Sequence, residues 1–150
     1  GIEEISSAAP GTRRDGGQFQ LPGDVLVRWF PVEHPGGAIG FRLQLPNGKS
    51  LAYVTDTTAD VTAPYVAEID GVDLLIHECY FDDGVEEHAR LTGHSCLTPV
   101  IQVARQCRAR QTVLVHLNPL NEWAPPVEKI RRLAGELNVI VPTDHMMIEL

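Results

Sequence analysis

Two apolar runs, "VDLLI" at 72–76 and "TVLV" at 112–115, constrain this chain more than any other feature. They lack the alternation of a sheet with one wet face, so each reads as a strand covered on both sides. The segments around them have helical character. "ADVTAPYVAEID" (59–70) places apolar residues at helical spacing, with Pro64 near its first turn. "LTPVIQVARQCRAR" (97–110) can be capped by Thr98 and opened by Pro99, and "PPVEKIRRLAGEL" (125–137) carries Leu133 and Leu137 on one face. "VIVPTDHMMIEL" (139–150) closes the chain as strand. The order helix, strand, helix, strand, helix, strand predicts a layered α/β sheet.

Upstream, "DVLVRWFPV" (24–32), "AIGFRLQL" (38–45) and "SLAYVTDT" (50–57) form a local antiparallel group, with "PNGK" as a tight turn between the last two. Residues 1–23 are rich in Gly, Pro, Ser and charge and read as a linker or the remnant of a preceding segment, so ordered structure is expected from about Asp24. At 150 residues and 43% hydrophobic content, one domain with a real core is expected. No apolar run approaches the ~20 residues of a membrane helix. Cys79, Cys96 and Cys107 are odd in number and lack CxxC spacing, which argues against a disulfide framework or a thiolate zinc knuckle and makes the cytoplasm the expected compartment. A formal charge of −8 disfavours nonspecific attraction to nucleic acid.

The chemistry-bearing residues sit at strand ends. His34 follows "WFPV", Asp56 follows "LAYVT", His77 follows "DLLI" and His116 follows "TVLV". Binding sites collect at the carboxyl ends of strands in open α/β sheets. Imidazole and carboxylate suit zinc, manganese or iron. Spacing alone leaves two readings open: one convergent metal site, or separate polar residues that hydrogen-bond at strand ends, with Asp56 between Thr55 and Thr57 as a turn-former.

"VEHPGGAIGFRL", "LAYVTDT", "LLIHECYF", "GHSCLTPV" and "VLVHLNP", in this order, resemble the later motifs of the metallo-β-lactamase fold, and most of all its branch of RNase Z-like endonucleases and phosphodiesterases. The resemblance runs from about Val32 to the C-terminus. It implies an α/β fold, half of an αβ/βα sandwich, with a mixed sheet and helices on one face, over residues 24–150. It also implies His34 as a ligand of one metal, His116 of the other, Asp56 as the bridging carboxylate, and His94 as the histidine acting on the phosphate and leaving group. Glu78 would orient the His94 ring. His77 is expected to pack or hydrogen-bond behind the site. His88 falls in a polar loop, "DDGVEEHARLTGHS", and a structural role is expected for His145.

The HxHxDH motif that supplies most of the family's ligands does not occur in this sequence. Two divalent metals, zinc foremost and manganese or iron as alternatives, would then need ligands from elsewhere. An apolar sheet face would also need cover. Hence the chain is expected to pair with an N-terminal half of the same domain or with a second copy, as an oligomer, and to be inactive alone. The implied reaction is hydrolysis of a phosphodiester by a metal-activated hydroxide, on a small phosphodiester or ester or on RNA, with no membrane partner. The alternatives are thioester or lactone hydrolysis, and a noncatalytic interaction domain that keeps the scaffold.

Overall fold

A computed structural model describes residues 15–118 and 127–150. Seven strands form one mixed sheet in chain order: β1 (Gly17–Leu21), β2 (Val25–Val32), β3 (Ala38–Gln44), β4 (Ser50–Val54), β5 (Leu74–Glu78), β6 (Gln111–Val115) and β7 (Asn138–Ile140). β1 to β4 pair antiparallel, and β4 to β7 pair parallel. The change follows from the connections. Short turns join the first four strands, whereas α1 (Tyr65–Glu68), α3 (Leu97–Gln106) and α4 (Val127–Ala134) carry the chain back between the later ones. A further helix, α2 (Glu86–Thr92), precedes α3.

Register decides which face is covered. Phe30, Val32, Ala52, Val54, Leu75 and Leu114 point to one side and pack against Tyr65, Val66 and Ile69 of α1, Leu97, Val100, Ile101 and Val103 of α3, and Ile130 of α4. This is the core. On the opposite face the pairing lines up Trp29, Phe41, Tyr53, Ile76, Val113 and Ile140 in one row. Phe19, Val27, Leu43, Leu51 and Leu74 form a second row. Most of these side chains are half-buried or exposed, Tyr53 and Phe19 among the exposed ones, while Val27, Leu74 and Val113 are buried. No helix covers this face among the described residues, and the predicted mixed sheet with helices on one side is what the chain forms.

Four expectations need correction. Residues 17–21, read as linker, form edge strand β1, because Gly16 and Gly17 allow the backbone to lie against Trp29, where a Cβ on Gly16 would be 2.4 Å from the Trp29 carbonyl oxygen. The rest of the proposed linker, 1–14, lies outside the described residues, as do Pro125 and Pro126. The "polar loop" around His88 contains α2, a helix with acidic residues in its first turn, Arg90 in its last and Gly93 at its end. Thr98 does not cap α3: the helix starts after Cys96, and the Thr98 hydroxyl and N–H both donate to Asp83, at 2.8 and 2.7 Å. The C-terminal strand is only three residues long, since β7 finds a partner only in β6 at Gln111–Val113.

All three cysteines are free and buried, and no helix among the described residues is long and apolar enough to cross a membrane.

Candidate metal centre

The carboxyl ends of β4, β5 and β6 lie side by side, because these strands run parallel and in consecutive order. Asp56 lies just past β4, Glu78 ends β5, and His116 immediately follows β6. Both Asp56 and His116 adopt φ of +53°, a left-handed backbone that costs a non-glycine residue energy and turns each side chain away from its strand direction. His94 arrives from the other side, on the loop between α2 and α3. Its N–H donates to the Ala89 carbonyl (2.8 Å), and Gly93 N–H donates to Arg90 (3.2 Å), with Gly93 at φ +75°; this helix-ending motif fixes where the His94 backbone starts.

Together Asp56, Glu78, His94 and His116 each offer a ligand atom, all within 4.8 Å of one another. His116 Nδ1 lies 3.1 Å from Asp56 Oδ1. His34 borders the group, its ring centroid 5.4 Å from that of His94. The His34 tautomer follows from its partner: the Gly93 carbonyl, 3.0 Å from Nδ1, can only accept, so Nδ1 carries the proton and Nε2 keeps its lone pair. Two imidazoles and two carboxylates at this separation, with the His34 imidazole beside them, suit a divalent cation of the zinc, manganese or iron type.

Glu78 is the anchor of the arrangement. Fully buried, it accepts N–H donors from Thr57 (2.6 Å) and Ser95 (3.1 Å), and His94 Nδ1 donates to it at 3.1 Å. Burial pushes its carboxyl up to about 7, and the two backbone N–H groups act in the opposite direction. Burial lowers the His94 imidazole, and neighbouring His34 adds to the effect. Ser95 clamps the loops together: its hydroxyl donates to the Thr57 carbonyl (2.6 Å) and accepts from Ala59 N–H (2.8 Å).

The remaining histidines fall outside this cluster. His77 is fully buried behind it; its Nδ1–H donates to the Glu78 carbonyl (2.7 Å), so Nε2 accepts from the Tyr65 hydroxyl (3.1 Å). Burial pulls His77 down to about 4. His88 is exposed on α2 with its ring 5.4 Å from Phe81, and His145 is exposed near the C-terminus. The Cys96 thiol is pushed up to about 11 by burial, which suits a small packed side chain rather than a thiolate ligand. Sequence reasoning missed Tyr80, Gly93 and Ser95. Gly93 was within reach, as a glycine just past a short run with acidic residues first and Arg90 last. Tyr80 and Ser95 gain their meaning only from contacts across the sheet.

A mixed sheet with helices on one face and a histidine–carboxylate cluster at its strand ends is the layout of one half of a metallo-β-lactamase-type domain. The profile of the beta-lactamase superfamily domain matches residues 8–117, and the chain belongs to that family. It is 33% identical over 126 residues to ribonuclease Z of Halorubrum lacusprofundi, which covers 79% of this chain and 39% of that protein. Mitochondrial ribonuclease Z of Drosophila melanogaster is 34% identical over 106 residues, covering 69% of this chain and 14% of the fly protein. Among solved structures, human tRNase Z, short form, superposes with a TM-score of 0.68 at 25% identity, over 88% of this chain and 46% of that one. A diphosphatase of the PhnP family shares the fold, with a TM-score of 0.61 at 21% identity over 83% of this chain and 43% of its own. The chain thus spans less than half the length of these relatives.

Proposed function

We propose that this chain contributes one half of the active site of a metal-dependent hydrolase that cleaves phosphodiesters, RNA among them. The convergence of Asp56, Glu78, His94 and His116 within 4.8 Å, with His34 beside them, carries the reading. Likeness to proteins named ribonuclease Z supports the substrate class. His34, Asp56 and His116 are the residues that would hold metal, zinc in the first instance, and bound metal would supply a lowered water pKa and stabilisation of negative charge at phosphorus.

This chain's own groups do the rest. In hydrolysis a water oxygen bonds to phosphorus while the bond from phosphorus to the leaving oxygen breaks, and that oxygen needs a proton. His94 is the group placed to move it: Glu78 holds Nδ1, so Nε2 is the nitrogen left for the substrate side. The two backbone donors hold the buried Glu78 carboxylate in place, and it in turn fixes the direction of Nδ1.

The two apolar rows on the open sheet face would dock a second sheet bearing the remaining ligands, that of an N-terminal half of the same domain. Two variants separate the roles in the assembled domain, with bis(p-nitrophenyl) phosphate and a 3′-extended tRNA as substrates. His94→Ala is expected to retain metal and lose at least about 100-fold in turnover, as removal of a general acid does. Asp56→Ala is expected to lose both. A His94→Ala protein of full activity would refute the assignment, and a stable monomer of 16.5 kDa in native mass measurement would refute the pairing.

A further inference from the structure

Tyr80 lies two residues past the anchor Glu78, and none of the roles assigned above uses its ring. The ring is stacked on His94, with centroids 4.4 Å apart and planes inclined by only 18°. Its edge contacts run to His116 at 5.2 Å and to Phe81 at 4.8 Å. Its carbonyl accepts the Asn118 N–H at 3.3 Å, which ties the segment after β5 to the segment after β6. One half-buried aromatic side chain thus touches the proton-moving histidine by its face and a metal-holding histidine by its edge.

The Glu78 contact alone leaves His94 a degree of freedom. A hydrogen bond at Nδ1 fixes the direction of one ring nitrogen, yet the ring can still tilt about the line of that bond. A flat aromatic surface at stacking distance opposes the tilt, because leaving the offset-stacked geometry forfeits contact over the whole ring face. Phe81 backs Tyr80 edge-on, so the platform is itself supported. We infer that Tyr80 is a positioning residue that sets the plane of the His94 ring, and through it the direction of Nε2, while its edge keeps His116 in register with His94. This rests on the role proposed for His94. The flat ring is what the arrangement needs, and the phenol oxygen has no part in it.

Ring-proton NMR of His94 tests the platform without any turnover. In the assembled wild-type domain, stacking at this distance shifts the His94 ring protons upfield of their free-histidine positions. Tyr80→Phe keeps the shift and Tyr80→Leu, apolar but without a flat face, loses it. An unshifted His94 ring in the assembled wild-type domain overturns the inference, even if the leucine variant fails to fold.

Kinetics of the zinc-loaded assembled domain with bis(p-nitrophenyl) phosphate supply the second readout. Tyr80→Phe should match wild type, whereas Tyr80→Leu should lose up to about 100-fold in kcat, the scale of a 1 Å misplacement, with zinc content and KM unchanged. A Tyr80→Leu enzyme with wild-type kcat, or one whose loss tracks zinc content instead, overturns the positioning role. Absence of hydrolysis by the wild-type domain would count against the hydrolase reading itself, leaving the ring-shift result to decide the platform.

Discussion

Gly93→Ala is the substitution whose effect the structure determines most tightly. A Cβ at this position would lie 2.3 Å from Pro35 Cδ and 2.5 Å from His34 Nδ1, and the backbone sits at φ +75°. Ordinary contact begins near 3.4 Å, so the His34 ring must retreat by about 1 Å (3.4 − 2.5 = 0.9). The left-handed backbone costs a Cβ-bearing residue about 1–2 kcal/mol. Retreat also breaks the hydrogen bond to the Gly93 carbonyl, worth about 1 kcal/mol. The expected loss of stability is therefore about 2–3 kcal/mol. With His34 in its proposed role as a metal ligand, losing the group that fixes its tautomer should weaken metal binding by about 10–100-fold.

Gly71→Ala supplies the control, since Gly71 has φ +68° and nothing within 4 Å of its Cβ position. It should show the backbone cost alone, about 1–2 kcal/mol, with unchanged metal affinity. Urea unfolding and zinc competition against a chelator measure the two quantities in both variants. If Gly93→Ala costs no more than Gly71→Ala and binds zinc as wild type does, the account of His34 being held by Gly93 is wrong.

Two further predictions concern buried polar groups. His77 titrates near 4 in the folded chain against 6.5 when free, so its contribution to stability is complete above pH 6.5 and is lost as pH falls toward 4. The 2.5-unit difference (6.5 − 4 = 2.5) corresponds to about 3 kcal/mol over that window. His77→Gln should flatten this part of the stability curve relative to wild type; parallel curves from pH 4 to 7 would refute the assignment. The Thr57 hydroxyl oxygen is buried with no hydrogen-bond partner among the described residues, so Thr57→Val, which keeps the shape, should be neutral or stabilising by about 1 kcal/mol. Destabilisation by that amount in thermal unfolding would show that the hydroxyl has a partner.

The chain's sequence by itself determined the β-rich first half, the parallel later strands and the polar residues at their ends. Runs such as "VDLLI" and "TVLV" are local signals: nearly continuous apolar residues break the polar alternation of a strand with one wet face, and the residue that follows the run marks the strand end. Strand β1 escaped because an edge strand of mixed polarity, flanked by Gly and Pro, has no local signature; it forms because β2 offers an open edge and Trp29 a surface. Helix α2 escaped because, short and polar, it buries only Ala89 and so leaves almost no periodic trace. Only tertiary structure decided what the strand-end residues do together. His34, Asp56, Glu78, His94 and His116 are spread over 83 positions (116 − 34 + 1 = 83), and their distances depend on strand order, parallel register and the left-handed turns at Asp56 and His116. The same holds for the separation of His77 from the cluster, although it sits next to Glu78 in sequence. Alternate residues of a strand point to opposite faces, so Glu78 joins the cluster while His77 turns into the helix-covered core beneath it.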